Sequence, residues 1–376
     1  MPAPTSHAKK VLVVDDSALM RKVLRQVLSD AGFEVAAARS GREGVDLALQ
    51  FRPDVVTLDI NMPEMDGLTA LSMLMSAQPT PVVMVSSLTQ QGAISTLEAL
   101  ALGAVDYVAK PGGTISLNLR EIADELVRKV RAASQARVRG GSPSAAAQRG
   151  LNARRTSPRP RLAATPAARP TPAQRPAPTP RAGLPEGLVL IGVSTGGPRT
   201  LEEVLPRLPA DFPWPVLVVQ HMPAQFTAAF AQRMNQLCAL EVRECNGAIP
   251  LQAGQIIVAQ GGHDMVVLER LGRLVAQPVA ESSQHPWHPC VDVLVDSVLR
   301  HMPAERLIGV LLTGMGDDGA ASMARLRERG GHTIAESADT AVVFGMPQEL
   351  IARRGAECVL PADRIGEQLL RWATRH

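Results

Sequence analysis

A serine, a histidine and a carboxylate each follow a predicted strand in the second half of the chain. Ser194 lies in the glycine-rich segment GVSTGG after the apolar run LVLI, and His221 comes directly after the run VLVVQ. A later run, LIGVLLTG, leads to the adjacent carboxylates Asp317 and Asp318. Because the carboxyl ends of parallel strands meet at one edge of a sheet, we expect these side chains to lie together. The combination predicts a nucleophilic triad, in which an imidazole bridges a hydroxyl and a carboxylate.

The same glycine-rich turn would also suit a phosphate group held by backbone amides, because glycine allows the tight turn that both sites need. Residues 181–376 contain no lysine, which excludes a P-loop lysine, a Schiff-base lysine and a Ser–Lys dyad. A phosphate cradle also leaves the histidine and the aspartates without a role, so we favour hydrolysis. The chain order Ser, His, Asp differs from that of the α/β-hydrolases, and spacing alone does not separate Asp317 from Asp318.

Acidic and basic side chains also end the predicted strands of the N-terminal region. Residues 10–130 alternate five short apolar runs with helical patterns, which predicts an α/β domain with a five-stranded parallel sheet. The polar residues at the strand ends are Asp15, Asp16, Asp59, Ser86, Ser87 and Lys110. Three carboxylates at one rim call for a cation, and hard oxygen ligands suit Mg²⁺. The lysine and a serine would complement a phosphoryl group carried by one of the carboxylates.

The remaining segments predict a second domain and a linker. Residues 185–376 again alternate strands with helices, which predicts a doubly wound, mainly parallel α/β domain. Residues 131–184 are rich in arginine, proline and alanine, with ten arginines and no acidic residue between 132 and 184. Such a composition cannot bury enough apolar surface to offset the entropy of folding, so we predict a disordered linker.

Composition narrows the class of protein. No apolar run approaches the roughly 18 residues that span a bilayer, and the aspartates after VLVV exclude a signal-peptide core. The four cysteines form no CxxC pair, which favours buried thiols in a reducing compartment. We therefore expect a cytoplasmic protein without membrane insertion. The basic linker leaves open a DNA-binding module, but the second domain shows no helix-turn-helix, so we expect no nucleic-acid partner.

Four N-terminal segments, VLVVDDSALMR, TLDINMPEMDG, VVMVSS and YVAKP, resemble the receiver domains of response regulators. The resemblance implies a flavodoxin-like fold in which Asp59 accepts a phosphoryl group from a chemotaxis histidine kinase. It also implies that Asp15, Asp16 and Asp59 hold Mg²⁺, together with the backbone carbonyl of Asn61. The implied phosphorylation switch consists of Lys110 paired with the phosphate, Ser86 turning toward it, and Tyr107 reporting the change on the outer face.

Five later segments, GVSTGGP, VVQHMP, IIVAQGGHDM, HPCVDVL and LLTGMGDDGAA, resemble the chemotaxis protein-glutamate methylesterases of the CheB family. The resemblance implies hydrolysis of glutamate methyl esters on methyl-accepting chemoreceptors, with release of methanol, and deamidation of certain receptor glutamines. It implies Ser194 as nucleophile, His221 as general base and acid, and Asp318 as the residue that orients the imidazole. It further implies that Thr195 and Met315 help to form the oxyanion site, and that the esterase step needs no cofactor.

Two residues depart from the pattern of this family. Gln260 stands where the family usually has proline, and Cys290 where it usually has serine; we expect neither to touch the triad. The family also implies that the receiver covers Ser194 until Asp59 is phosphorylated, and the long linker predicts incomplete cover. The triad by itself names no substrate, so a hydrolase acting on another ester or amide remains an alternative. We expect the HPWHP segment (285–289) to be a substrate-facing loop, with a metal site as the alternative.

Overall fold

Five short apolar segments form the sheet of the N-terminal domain in the computed structural model, which describes residues 8–87, 89–110, 119–136 and 184–374. The strands are β1 (Lys10–Val14), β2 (Glu34–Ala38), β3 (Val55–Asp59), β4 (Val82–Ser86) and β5 (Asp106–Ala109). All pairings are parallel, in the order β2-β1-β3-β4-β5. This is the flavodoxin-like order, so the predicted flavodoxin-like fold is confirmed.

Polar caps define where the helices of this domain begin. The helices are α1 (Ala18–Asp30), α2 (Gly41–Phe51), α3 (Gly67–Ala77), α4 (Gln90–Leu102) and α5 (Leu119–Ala133). The first four each start after a side chain that accepts a hydrogen bond from an amide of the first turn, and these caps are Ser17, Ser40, Asp66 and Thr89. Helix α5 extends three residues into the predicted linker, of which residues 137–183 lie outside the described residues.

The second domain is built on a seven-stranded sheet. The strands in chain order are β6 (Leu188–Val193), β7 (Val216–Gln220), β8 (Glu241–Cys245), β9 (Ile249–Pro250), β10 (Gln255–Ala259), β11 (His263–Arg270), β12 (Arg273–Ala280), β13 (Leu307–Leu311), β14 (His332–Glu336) and β15 (Cys358–Leu360). The large sheet is parallel throughout, in the order β15-β14-β13-β6-β7-β10-β8. The sequence pattern missed one feature, the small antiparallel sheet β11-β12-β9.

Helices cover both faces of the large sheet, as expected for a doubly wound domain. They are α6 (Gly197–Val204), α7 (Ala224–Leu237), α8 (Val291–Val298), α9 (Ala320–Glu328), α10 (Met346–Ala352) and α11 (Ala362–Ala373). Alternate residues of β6 enter two separate apolar cores: Ile191 packs in the core with α6, α7 and α11, and Leu190 in the core with α8, α9 and α10. Because both faces are buried, the strands read as continuous apolar runs.

The two domains pack against each other without an intervening layer. Helix α4 of the receiver contacts α6 and α7 of the second domain. The apolar core of this interface is continuous, and it includes Leu97 and Tyr107 on one side and Phe226 on the other. Among the described ranges, none of the helices has an apolar stretch long enough to cross a membrane.

A carboxyl group is fully buried at the end of β14. Glu336 Oε2 accepts a hydrogen bond of 2.8 Å from the amide of Thr313, which follows β13. Burial raises the pKa of Glu336 to about 7, although the Thr313 amide lowers it in part. The folded domain therefore binds a proton here that the unfolded chain has already released above pH 4.5 or so.

The free energy of unfolding of the wild-type domain should fall as pH rises from about 5 through 7. We expect Glu336→Gln to abolish this fall, because glutamine cannot ionise. At pH 8.5 the variant should be more stable by about 3 kcal/mol, and at pH 4 the two should be nearly equal. Urea unfolding followed by tryptophan fluorescence measures this, since Trp214, Trp287 and Trp372 all lie in the second domain. Glu328→Gln, at an exposed site, is the charge-matched control. Parallel pH dependences of wild type and Glu336→Gln would contradict the prediction.

Candidate active site

The turn after β6 presents Ser194 at the carboxyl edge of the large sheet. The Ser194 amide donates to the Thr313 carbonyl (2.9 Å), and the Ser194 carbonyl accepts from the amide of Gly197 (2.8 Å). Gly196 has a φ of +79°, and a Cβ there would lie 2.6 Å from the Cβ of Val342. The turn therefore needs glycine for both its backbone conformation and its packing. Ser194 itself is 8% exposed.

His221 occupies the matching position on the neighbouring strand. In the register of β6 and β7, Val193 pairs with Gln220, so the serine and the histidine each follow one member of this pair. The His221 amide donates to the Val193 carbonyl (3.1 Å). The Gln220 side chain amide donates to the carbonyls of both Ser194 (3.0 Å) and His221 (3.1 Å). One buried glutamine thus ties the two strand ends together.

Asp318 completes a buried histidine–carboxylate pair. His221 Nε2 lies 2.8 Å from Asp318 Oδ2, and both side chains are buried. The carboxylate also accepts from the amides of Val291 (2.7 Å) and Asp292 (3.0 Å), which open helix α8. Burial favours the protonated form, but the hydrogen bond and charge of His221, followed by the two amides, hold the pKa of Asp318 below its usual value. Asp317, by contrast, is exposed and pairs with Arg353 (3.1 Å).

The expectation that Cys290 stays clear of the triad is wrong. Its Sγ lies 3.1 Å from Asp318 Oδ1, so the thiol donates a weak hydrogen bond to the carboxylate. Burial, with a further contribution from Asp318, raises the pKa of the Cys290 thiol well above its ordinary value, which keeps the donor protonated. Cys290 is the residue just before α8. Because Asp318 binds the first two amides of that helix, it also lies within reach of the Cys290 thiol. Among the hydrogen bonds of the described residues, none joins Gln260 to a triad residue.

The bond between Ser194 and His221 is not formed. Within the described residues, the buried Nδ1 atom of His221 has no hydrogen-bond partner. With Nε2 committed to Asp318, Nδ1 is the nitrogen that remains for the serine hydroxyl. The structure therefore brings all three predicted residues to one sheet edge and forms the His–Asp half of the triad, while the Ser–His half is open.

Two backbone amides beside Ser194 lack acceptors. Among the residues the structure describes, the amides of Thr195 and Met315 make no hydrogen bond. Met315 follows Gly314, where a Cβ would lie 2.7 Å from the Cβ of Ser194, so this loop touches the serine. Free amides at such a turn are the groups that stabilise a developing oxyanion.

The receiver contacts the serine turn directly. Thr195 Oγ1 donates to Asp106 Oδ2 (2.6 Å) at the start of β5, and the Gly196 amide donates to the carbonyl of Val105 (3.1 Å). Lys129 of α5 supports the carboxylate, with its Nζ 3.1 Å from Asp106 Oδ1. The side chain of Thr195, predicted to serve the oxyanion site, is thus bound to the receiver in this arrangement.

The HPWHP segment lies over His221. The Trp287 indole stacks on the His221 imidazole, with ring centroids 5.1 Å apart and planes within 9°. His288 Nδ1 lies 3.0 Å from the buried Asp264, and its Nε2 lies 3.1 Å from the carbonyl of His285. His285 contributes a backbone atom, so the alternative of a metal site built from these two histidines gains no support.

The acidic residues of the receiver form the predicted cluster. Ligand oxygens of Asp15, Asp16 and Asp59 all lie within 4.8 Å of one another. Lys110 Nζ lies 2.7 Å from Asp59 Oδ2 and 3.0 Å from Asp15 Oδ2. An all-oxygen set with more negative than positive charge suits Mg²⁺, and the Asn61 amide, 3.3 Å from Asp59 Oδ1, places that residue at the rim.

Electrostatics in this cluster favour added positive charge. Burial and the neighbouring Asp15 raise the pKa of Asp59, and Lys110 offsets this only in part. Burial would lower the pKa of Lys110, but its ion pairs with the two carboxylates raise it overall. Both shifts point the same way, because two buried carboxylates share one ammonium.

The two other predicted switch residues are turned away from Asp59. Ser86 Oγ donates to the carbonyl of Gly92 in α4 (3.3 Å). Tyr107 is 4% exposed, and its ring packs on Phe226 of the second domain with centroids 4.5 Å apart. The outer face of β5, where Tyr107 was expected to report, is therefore the domain interface.

Sequence reasoning missed several residues that build the site. They are Gln220 and Thr313, which brace the serine turn, Asp106, which binds it from the receiver, and Trp287, which stacks on the histidine. Gln220 and Thr313 did carry a signal, since each is a polar residue ending an otherwise apolar run. Asp106 and Trp287 carried none, because their partners are distant in the chain.

The fold and site define a class of protein: a phosphoacceptor-type receiver joined to an α/β domain with a Ser-His-Asp constellation. Residues 11–120 match the response regulator receiver domain family, and residues 189–369 match the CheB methylesterase family. The chain belongs to the CheB family.

Similarity to relatives extends over the whole chain. A "Protein-glutamate methylesterase/protein-glutamine glutaminase 3" of Rhodospirillum rubrum is 54% identical over 368 residues, 97% of this chain and 96% of its own. A "Protein-glutamate methylesterase/protein-glutamine glutaminase 2" of Rhodopseudomonas palustris is 49% identical and covers 96% of this chain and 98% of its own. The solved catalytic domain of Thermotoga maritima CheB methylesterase is 36% identical, covers 51% of this chain and 99% of its own, and has a TM-score of 0.48.

We expect Asp318→Asn to lower kcat for methyl ester hydrolysis by about 10³–10⁴, because the imidazole loses the carboxylate that holds its tautomer. Asp317→Asn is the matched control: it removes the same charge one residue away and should change kcat less than about twofold. Steady-state kinetics on both variants, with near-wild-type folding checked by tryptophan fluorescence, measures this. A large loss in Asp317→Asn together with an active Asp318→Asn would reverse the assignment.

Proposed function

We propose that Ser194, His221 and Asp318 hydrolyse methyl esters of glutamate side chains on chemoreceptors, and deamidate receptor glutamines, under control of the receiver. The protein is a protein-glutamate methylesterase and protein-glutamine glutaminase of chemotaxis, as its full-length relatives are. The observation that supports the residue assignment best is the 2.8 Å hydrogen bond from His221 to the buried Asp318. His221 follows β7, the strand that pairs with the one before Ser194.

The first half of the reaction is acyl transfer to the serine. His221 Nδ1 takes the proton of the Ser194 hydroxyl as the oxygen attacks the ester carbonyl carbon. Asp318 keeps the proton on Nε2 and stabilises the imidazolium that forms. The amides of Thr195 and Met315 receive the oxyanion. The bond between the acyl carbon and the methoxy oxygen then breaks. His221 gives the proton to that oxygen, so methanol leaves.

The second half restores the serine. His221 takes a proton from water, whose oxygen attacks the acyl carbon, and the bond to Ser194 Oγ breaks as that oxygen is reprotonated. The product is a glutamate side chain. With a glutamine substrate the same steps release ammonia in place of methanol.

The receiver supplies regulation. Asp59 accepts the phosphoryl group, with Asp15, Asp16 and the Asn61 carbonyl as the residues that would hold Mg²⁺. The metal supplies charge neutralisation for phosphoryl transfer. Lys110 leaves its ion pairs with the carboxylates to bind the phosphate, and Ser86 turns from Gly92 toward it. The serine turn is freed as Thr195 parts from Asp106.

The partners follow from this chemistry. A chemotaxis histidine kinase is the phosphodonor, and methyl-accepting chemoreceptors present the esters on their cytoplasmic side, so the protein acts in the cytoplasm. A hydrolase with another ester substrate would share the triad; the name shared by relatives along the full length favours glutamate esters.

We expect Ser194→Ala to abolish methanol release from methylated receptor membranes while leaving the fold intact, since the nucleophile is lost and triad members act as a unit. Methanol is measured with and without a small acyl phosphate plus Mg²⁺. If Ser194→Ala keeps most of the activity, the triad mechanism is wrong. If wild type releases no methanol, the proposed substrate is wrong.

We expect Asp59→Asn to keep a measurable basal rate but to lose stimulation by acyl phosphate, because the long linker lowers the local concentration of the receiver at the site. Asp54→Asn alters a carboxylate of the same domain that pairs with Lys9, away from the cluster, and serves as control. Full stimulation of Asp59→Asn would place the phosphoacceptor elsewhere.

A further inference from the structure

One aromatic ring joins the receiver to the catalytic histidine. The guanidinium carbon of Arg128, on receiver helix α5, lies 4.1 Å from the centre of the Trp287 ring. The same indole is stacked on His221, with centroids 5.1 Å apart. An arginine of one domain and the catalytic imidazole of the other therefore share a single side chain as their neighbour.

The loop that carries the indole is anchored within the second domain. His288, the next residue, is fixed by Asp264 on one ring nitrogen and by the carbonyl of His285 on the other. Asp264 also accepts from the amide of Cys290 (2.9 Å), which anchors the far end of the loop. These contacts lie wholly within the second domain, so Arg128 is the neighbour that Trp287 would lose if the receiver moved away.

The imidazole is held at one atom only. Its Nε2 bonds to Asp318, and its Nδ1 is buried without a hydrogen-bond partner among the described residues. A ring anchored at one nitrogen can still tilt, and the stacked indole is the flat surface that sets its tilt. With Arg128 seated on that indole, the ring stands where Nδ1 makes no bond to Ser194.

We propose that Trp287 is a positioning residue for His221 and that Arg128 controls it from the receiver. While the receiver is docked, Arg128 holds the indole, and through it the imidazole, in the tilt that keeps Nδ1 off the Ser194 hydroxyl. When Arg128 leaves, the indole guides the imidazole into the bond with the serine. The proposal rests on the proposed function, because it takes Ser194 and His221 as the reacting groups.

The first test is Arg128→Gln in the full chain. A partly desolvated cation–π contact stabilises by about 1–2 kcal/mol, so its loss should raise the unphosphorylated rate of methanol release about 5- to 30-fold. The rate with acyl phosphate and Mg²⁺ should stay as in wild type. Arg25→Gln removes the same charge from an exposed site on α1 and should leave both rates unchanged. If unphosphorylated Arg128→Gln releases methanol at the same rate as unphosphorylated Arg25→Gln, the proposal that Arg128 regulates Trp287 is overturned.

The second test separates positioning from mere docking. Trp287→Leu should lower kcat of the phosphorylated chain more than fivefold with little change in KM, and Trp287→Phe, which keeps a flat ring, should restore most of it. Arg128→Gln should have no further effect on the unphosphorylated rate in the Trp287→Leu background. An unchanged kcat of phosphorylated Trp287→Leu would show that the indole only docks the receiver, and would overturn the proposal.

Fluorescence gives a readout that does not depend on hydrolysis. Acyl phosphate plus Mg²⁺ should change the tryptophan emission of wild type, because the guanidinium leaves the indole. The change should be absent in Trp287→Phe, which keeps the other two tryptophans, and in Arg128→Gln. If wild type releases no methanol, the proposed function fails, but the emission change would still support the coupling of Arg128 to Trp287. An emission change that persists in Arg128→Gln would overturn that coupling.

Discussion

The buried charge of Asp318 is the constraint around which the carboxyl edge of the large sheet is organised. A carboxylate removed from water stays ionised only where hydrogen-bond donors and positive charge replace its solvation. Here the first two amides of α8, the Cys290 thiol and the His221 imidazole take that role. Helix α8 must therefore begin where the loop after β13 delivers the aspartate, and the favourable end of its dipole faces the charge.

The serine and the histidine depend on a different constraint, the register of two adjacent parallel strands. Once Val193 pairs with Gln220, the next residues on both strands are neighbours whatever their side chains are. The buried polar groups then have to be satisfied locally, which Gln220 and Thr313 accomplish with backbone carbonyls of the serine turn. Gln220 and Thr313 are thus structural residues that fix the backbone of the proposed nucleophile's turn.

Much of this could be predicted from the sequence because it depends on local pattern. Apolar runs with polar residues at their ends located both parallel sheets and placed Ser194, His221 and the Asp15–Asp16–Asp59 cluster at their edges. The β11–β12 hairpin was missed because its strands mix polar and apolar residues around the turn at Leu271–Gly272. The contacts of Cys290 and Trp287 were beyond such reasoning, since each depends on how a loop packs against residues distant in the chain.

Strand β5 of the receiver links the surroundings of Asp59 to those of Ser194. Strand β5 has only four residues, about 13 Å in length. One end carries Asp106, which binds Thr195 beside Ser194, and the other leads into Lys110, which is paired with Asp59. Tyr107 lies between them and packs on Phe226. The first three residues of this short strand are buried, so we expect it to move as a unit. The proposed phosphorylation of Asp59 would then draw Lys110 and act on the same backbone that holds the serine turn.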